Sequence, residues 1–86
     1  MKTEVYVVGF DPIEDRASVG GFDWYPDRDV AIGKAVTAMC SSNGKYITWM
    51  RTHDTDHNVN SPEGRSAITN EIERLIQEHG SDGDWN

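Results

Sequence analysis

The sequence predicts an α+β domain: elements in the order β-β-α-β-α, with a three-stranded, mainly antiparallel sheet and two helices packed on one of its faces. Three observations predict it. Residues 4–10, 18–25 and 45–52 are dense in β-branched and aromatic side chains, which suit a pleated surface. Residues 27–41 and 61–78 instead repeat apolar positions three and four apart, a spacing that gathers side chains on one stripe of a helix. Between these segments stand turn-forming residues and short connections, which favour neighbouring placement of successive elements.

The first strand, residues 4–10, is apolar on both faces and suits a central position. Asp11-Pro12 is expected to break it, and residues 13–17 to form a charged loop. In the second strand Phe22 and Trp24 face one way while Asp23 and Tyr25 face the other. Gly20-Gly21 allows a bulge or a close backbone contact there.

Pro26-Asp27 closes that strand and opens a helix. The Asp27 carboxylate can accept the orphan amides of the first turn, and Asp29 suits the positive end of the helix dipole. Val30, Ile32, Ala35, Val36 and Met39 are expected to face the sheet, with Gly33 permitting a close approach to a strand and Cys40 on the buried face. Ser41-Ser42-Asn43-Gly44 ends the helix, Asn43 or Gly44 taking the left-handed cap.

The third strand, residues 45–52, places Tyr46, Thr48 and Met50 on one face and Ile47, Trp49 and Arg51 on the other. Residues 53–60 read as a polar loop, with room for a short fourth strand within 54–60 pairing back onto the third. Ser61-Pro62-Glu63 is a helix start with proline at the first helical position. The second helix carries Ile68, Ile72, Leu75 and Ile76 on one stripe and ends at His79-Gly80. Residues 1–80 thus form one compact domain, followed by a short acidic tail over 81–86.

A chain of 86 residues holds one small core, and its apolar fraction of 36% is modest until the eight glycines are added. The lone Cys40 cannot form an internal disulfide, which fits a reducing compartment. No secretory leader pattern and no apolar run near the ~20 residues of a membrane helix is visible, so a cytoplasmic protein is expected.

Fifteen Asp and Glu against eight Lys and Arg give a formal charge of −7. That field repels nucleic acid and anionic membrane and attracts basic surfaces. The acid falls in two blocks. Asp11, Glu14, Asp15, Asp23, Asp27 and Asp29 stand against only Arg16 and Arg28; Glu71, Glu73, Glu78, Asp82 and Asp84 stand against Arg74. Residues 30–50 contain no acid. A converged acidic face can occupy a groove built for phosphate, because carboxylates offer Arg and Lys the same charge-assisted contacts. Trp24, Tyr25 and Trp49 are the candidate anchors, since aromatic residues dominate interface hot spots.

Enzyme chemistry finds no signature: the chain has no phosphate loop, no dinucleotide fingerprint and no nucleophile elbow. Neither catalytic residues nor a cofactor are expected. The one cluster of ligand-type side chains is His53, Asp54, Asp56 and His57, weak candidates for a divalent ion. The spacing from Asp54 to Asn60 imitates the start of a calcium loop. It fails at Val59, where the turn needs glycine, and at Arg65, where a bidentate glutamate is needed.

In size, acidity and lack of catalytic motif the chain resembles phage-encoded inhibitors of bacterial defence, including anti-CRISPR proteins and uracil-glycosylase inhibitors. The likeness is one of composition and transfers no functional residue. The expected function is that of a non-enzymatic, anti-CRISPR-like inhibitor binding a partner protein through a basic, nucleic-acid-binding surface, in the host cytoplasm if phage-encoded. The alternatives are a small-ligand or metal-binding module using residues 53–60, and a homo-oligomeric subunit such as a homodimer.

Overall fold

The computed structural model describes residues 2–12, 21–41 and 46–80. Strand β1 (Thr3–Pro12) is the centre of a three-stranded antiparallel sheet, with β2 (Gly21–Tyr25) on one side and β3 (Tyr46–Thr55) on the other. Its apolar residues on both faces explain the position, since only a central strand is covered on both. Helix α1 (Arg28–Ser41) joins β2 to β3, and α2 (Pro62–His79) follows β3. Element order and sheet are as the sequence predicts.

The register sorts the side chains. Val7 lies between Trp24 and Arg51, and Gly9 between Phe22 and Trp49. These share one face with Val5 and His53. The other face carries Glu4, Tyr6, Val8 and Phe10 of β1, Asp23 and Tyr25 of β2, and Tyr46, Thr48, Met50 and Asp54 of β3.

Helix α2 covers the first face. Ser61 caps it, its Oγ accepting from the Gly64 amide at 3.0 Å. A Cβ at Gly64 would overlap the Asn58 carbonyl, so glycine lets the incoming turn lie against the helix. Ile68, Ile72 and Ile76 bury against Val5, Val7 and Trp24, with Phe22, Trp49, Val59 and Leu75 packed around them. Each such isoleucine contributes about 1.5–3 kcal/mol of burial. The Trp24 Nε1–H donates to Thr69 Oγ1 at 2.9 Å, and the Arg65 guanidinium lies 4.6 Å from the centre of the Trp24 ring. Trp49 lies flat on Gly9, where any Cβ would overlap its ring, and its Nε1–H donates to Asp11 Oδ1 at 3.1 Å.

Helix α1 lies on the opposite face, so the two helices sandwich the sheet and do not share a side as the sequence reading expects. Val8 and Ala31 are buried, yet neither belongs to the core beneath α2. Tyr6, on the Val8 face, feels the charges of Asp27 and Arg28 at the start of α1. The reason is width. Helix α2 reaches from Trp24 on β2 to Thr55 on β3 and fills its face alone.

The phase of α1 also differs from expectation. Ala31 is fully buried and Ile32, Ala35 and Ala38 are half-buried, whereas Val30, Val36 and Met39 are 47%, 53% and 61% exposed. Cys40 is exposed as well. Small side chains let the helix axis approach the sheet closely, and that packing outweighs the larger apolar residues on the rotated stripe. Gly33 has no neighbour that a Cβ would meet; among the described residues the glycines needed for close approach are Gly9 and Gly64.

Two boundaries shift. Strand β1 continues through Asp11 and Pro12, which pair with Ile47 and Tyr46, and β3 continues to Thr55, which pairs with Thr3. Residues 56–60 form bends and turns, and no fourth strand occurs among the described residues. The expected tail over 81–86 and the cap at Asn43 or Gly44 lie outside the described residues. No described helix is long and apolar enough to cross a membrane.

Candidate functional site

Carboxylates from four segments lie on the α1 side of the sheet or at the start of α1. Glu4 of β1 stands directly opposite Asp54 of β3. Two residues along, on the same face, Tyr6 donates its phenol hydrogen to Glu4 Oε1 at 2.8 Å. Tyr6 pairs in turn with Tyr25 of β2, whose phenol donates to Asp23 Oδ2 at 3.3 Å. Asp27 caps helix α1, Oδ1 accepting from the amides of Asp29 at 2.8 Å and Val30 at 3.3 Å. Asp29 occupies the first turn.

Each phenol responds to the carboxylates nearest it. The Tyr6 hydroxyl is held above its usual pKa chiefly by its hydrogen bond to Glu4, with burial and the Glu4 and Asp27 charges adding and Arg28 opposing. The Tyr25 hydroxyl is raised first by burial and then by the charge and hydrogen bond of Asp23. Glu4, Asp23, Asp27, Asp29 and Asp54 are all exposed, and Tyr6 and Tyr25 are half-buried between them. Such an array suits a guanidinium or ammonium group, with carboxylates for charge-assisted hydrogen bonds and ring faces for cation–π contact.

Of the residues singled out in the sequence, Asp23, Tyr25, Asp27 and Asp29 come together here. Asp11 does not: it lies near the far end of β1, on the α2 side, bound to the Trp49 indole. Glu14 and Asp15 lie outside the described residues. Trp24 is 5% exposed and locked into the core, which removes it as an anchor. Trp49 is half-buried against the same core and is no free anchor either. Sequence reasoning missed Glu4, Tyr6 and Asp54. Alternation along the first strand puts Glu4 and Tyr6 on one face, but Asp54 was expected in a loop and therefore had no face.

The weak metal candidates separate for the same reason. Because β3 runs to Thr55, His53 points to the α2 side and Asp54 to the α1 side. His53 Nε2 lies 3.2 Å from Glu71 Oε1, which also accepts from Thr55 Oγ1 at 2.8 Å, and His57 Nε2 lies 3.8 Å from Glu71 Oε2. Burial pushes the Glu71 carboxyl up, but the hydrogen bonds from Thr55 and His53, with the charges of His53 and His57, outweigh it and hold the group below its usual value. Asp56 is exposed on the following turn. Among the described residues no group of three or more His, Cys, Asp or Glu is arranged to hold a metal ion. A shallow polar cleft of about 320 Å³ lies between β2 and α2, lined by Asp23, Trp24, Arg65, Ser66, Thr69 and Asn70.

Comparison with family models, with curated proteins and with solved structures finds no match to this chain.

Proposed function

We propose that this protein is a non-enzymatic binding domain whose acidic, tyrosine-bearing side occupies a basic, nucleic-acid-binding surface on a partner protein and blocks it. The observation that supports this reading is the placement of Glu4, Asp23 and Asp54 on the sheet face that carries Tyr6 and Tyr25, with Asp27 and Asp29 at the start of α1. Like charges set opposite each other in a sheet are destabilising, so the Glu4–Asp54 pair makes better sense as a contact surface than as a support of the fold. The carboxylates would steer a cationic partner and pair with its Arg and Lys, while the phenols add apolar area. An inhibitor of a defence complex that handles nucleic acid, as in anti-CRISPR systems, is one setting for this activity.

The test is affinity capture from host lysate at low and high salt, beside a variant with Asp23→Lys, Asp27→Lys and Asp29→Lys. A nucleic-acid-handling protein that the native chain retains, that salt or added nucleic acid releases and that the variant fails to hold supports the reading. Capture indifferent to the three reversals, or capture of nothing but further copies of the chain, overturns it.

A further inference from the structure

Among the described residues, the large apolar side chains that stand out as exposed lie on α1 and on the α1 side of β3. Val30, Val36 and Met39 are on α1, and Tyr46 and Met50 are on the face of β3 that α1 flanks. Helix α1 packs more on β1 and β3 than on β2, so it flanks the strand that carries Tyr46 and Met50. Met50 and Tyr46 thus leave apolar area exposed along the strand itself.

Strand β3 adds a second observation. Among the described residues it has a hydrogen-bonded neighbour on one side only, and at ten residues it is about twice the ordinary strand length. No proline interrupts it. A long edge of this kind is a template for another strand.

We infer that the occupant of this edge is a second copy of the chain, with the two β3 strands pairing antiparallel about a two-fold axis at Met50 to form one six-stranded sheet. The side-chain order of β3 favours this register. Met50 meets Met50 of the second copy on the α1 side, where it is 39% exposed. Thr48 falls opposite Thr52, and Ile47 opposite His53. Trp49 falls opposite Arg51, so no two cations meet. Tyr46 falls opposite Asp54, repeating between copies the phenol–carboxylate pairing that Tyr6 makes with Glu4 and Tyr25 with Asp23. Centring the axis one residue on would set Arg51 against itself, and a further step would set it against His53.

The charge distribution agrees with the same arrangement. Antiparallel pairing sends the Glu4–Asp54 ends of the two copies to opposite ends of the shared edge, which limits repulsion between chains that each carry −7. The inference does not depend on the proposed partner.

The experiment measures the mass of the full chain by light scattering and sedimentation from low to high micromolar concentration. A monomer–dimer equilibrium is expected, with Met50→Lys weakening it about tenfold, the scale of one interface anchor. Met50 is a surface residue, so circular dichroism of that variant should match the native chain. Opposite residues of paired antiparallel strands have Cα atoms about 4.5–5.5 Å apart, within the roughly 4.4–6.8 Å that a disulfide spans. Met50→Cys on a Cys40→Ser background should therefore oxidise to a covalent dimer, faster than Thr52→Cys on the same background. A monomeric mass at every concentration, a dimer indifferent to Met50→Lys, or cross-linking no faster at position 50 than at 52 overturns the inference.

Discussion

Glu4 and Asp54 are cross-strand partners, two carboxylates set opposite each other at the open end of the sheet where β1 meets β3. Selection for stability alone would place a lysine at one of the two positions. The pair therefore separates a role in binding from a role in folding, because the two make opposite demands on it.

Replacing Asp54 with Asn or Lys is expected to raise the unfolding free energy by about 0.2–1 kcal/mol, the range for cross-strand pairs. Thermal melts at low and high salt check this, and the gain should shrink as salt screens the repulsion. The same variants are expected to weaken capture of a basic partner. A loss of stability on removing Asp54 would show that the carboxylate supports the fold.

Glu71 makes the opposite case, a carboxylate that ties β3 and the following turn to α2 through Thr55, His53 and His57. Its folded pKa lies below the ordinary value, with the hydrogen bonds winning over burial. A carboxyl depressed in the folded state adds stability that is present above its unfolded pKa and is lost as pH falls through the folded one. Unfolding followed by denaturant from neutral to acidic pH should therefore show a steeper loss in the native chain than in Glu71→Gln, the two curves running parallel at the acid end. Thr55→Val, which removes a donor to that carboxylate, should flatten the native curve part of the way. Equal slopes in all three would mean that the contact adds nothing to stability.

Strand β1 was legible because both its faces are apolar, and the start of α2 because Ser61-Pro62 pairs a capping hydroxyl with a proline that needs no amide partner. The side chosen by each helix was not legible. It follows from the width of the sheet: α2 reaches from Trp24 to Thr55 and leaves α1 only the other face. The phase of α1 was misread because hydrophobic periodicity weights valine and methionine above alanine, whereas Ala31 sits at the tightest contact. Within the candidate site, Asp23, Tyr25, Asp27 and Asp29 are close in the chain and were found together. Glu4 and Asp54 join them only through pairing across 50 positions, which depends on β3 running three residues past Thr52.

Gly9 is the position where the core should tolerate least. Any Cβ there overlaps the Trp49 ring, which is held over the backbone by its own hydrogen bond to Asp11. Gly9→Ala is expected to cost about 1–3 kcal/mol, the range for overpacking, and to change the tryptophan emission as the indole is displaced. Denaturant titration measures the first and fluorescence the second. In a double-mutant cycle with Trp49→Ala most of the penalty should disappear, because the ring that the new methyl group strikes is gone. A penalty undiminished in that background would place the strain in the β1 backbone.

The orientation of α1 can be tested by two substitutions on its opposite sides. Ala31 is fully buried against the sheet and Val36 is 53% exposed. Enlarging Ala31 to Leu drives extra methylenes into a close helix–sheet contact and is expected to cost about 1–3 kcal/mol. Val36→Ser removes an apolar group from solvent and should leave the stability of the isolated chain within about 0.5 kcal/mol. Chemical denaturation at low protein concentration, where self-association is negligible, makes the comparison direct. The stripe read from the sequence gives the reverse order: Val36 would face the sheet and Val36→Ser would be the damaging change. Only a helix that turns its alanines to the sheet makes Ala31→Leu the more costly of the two.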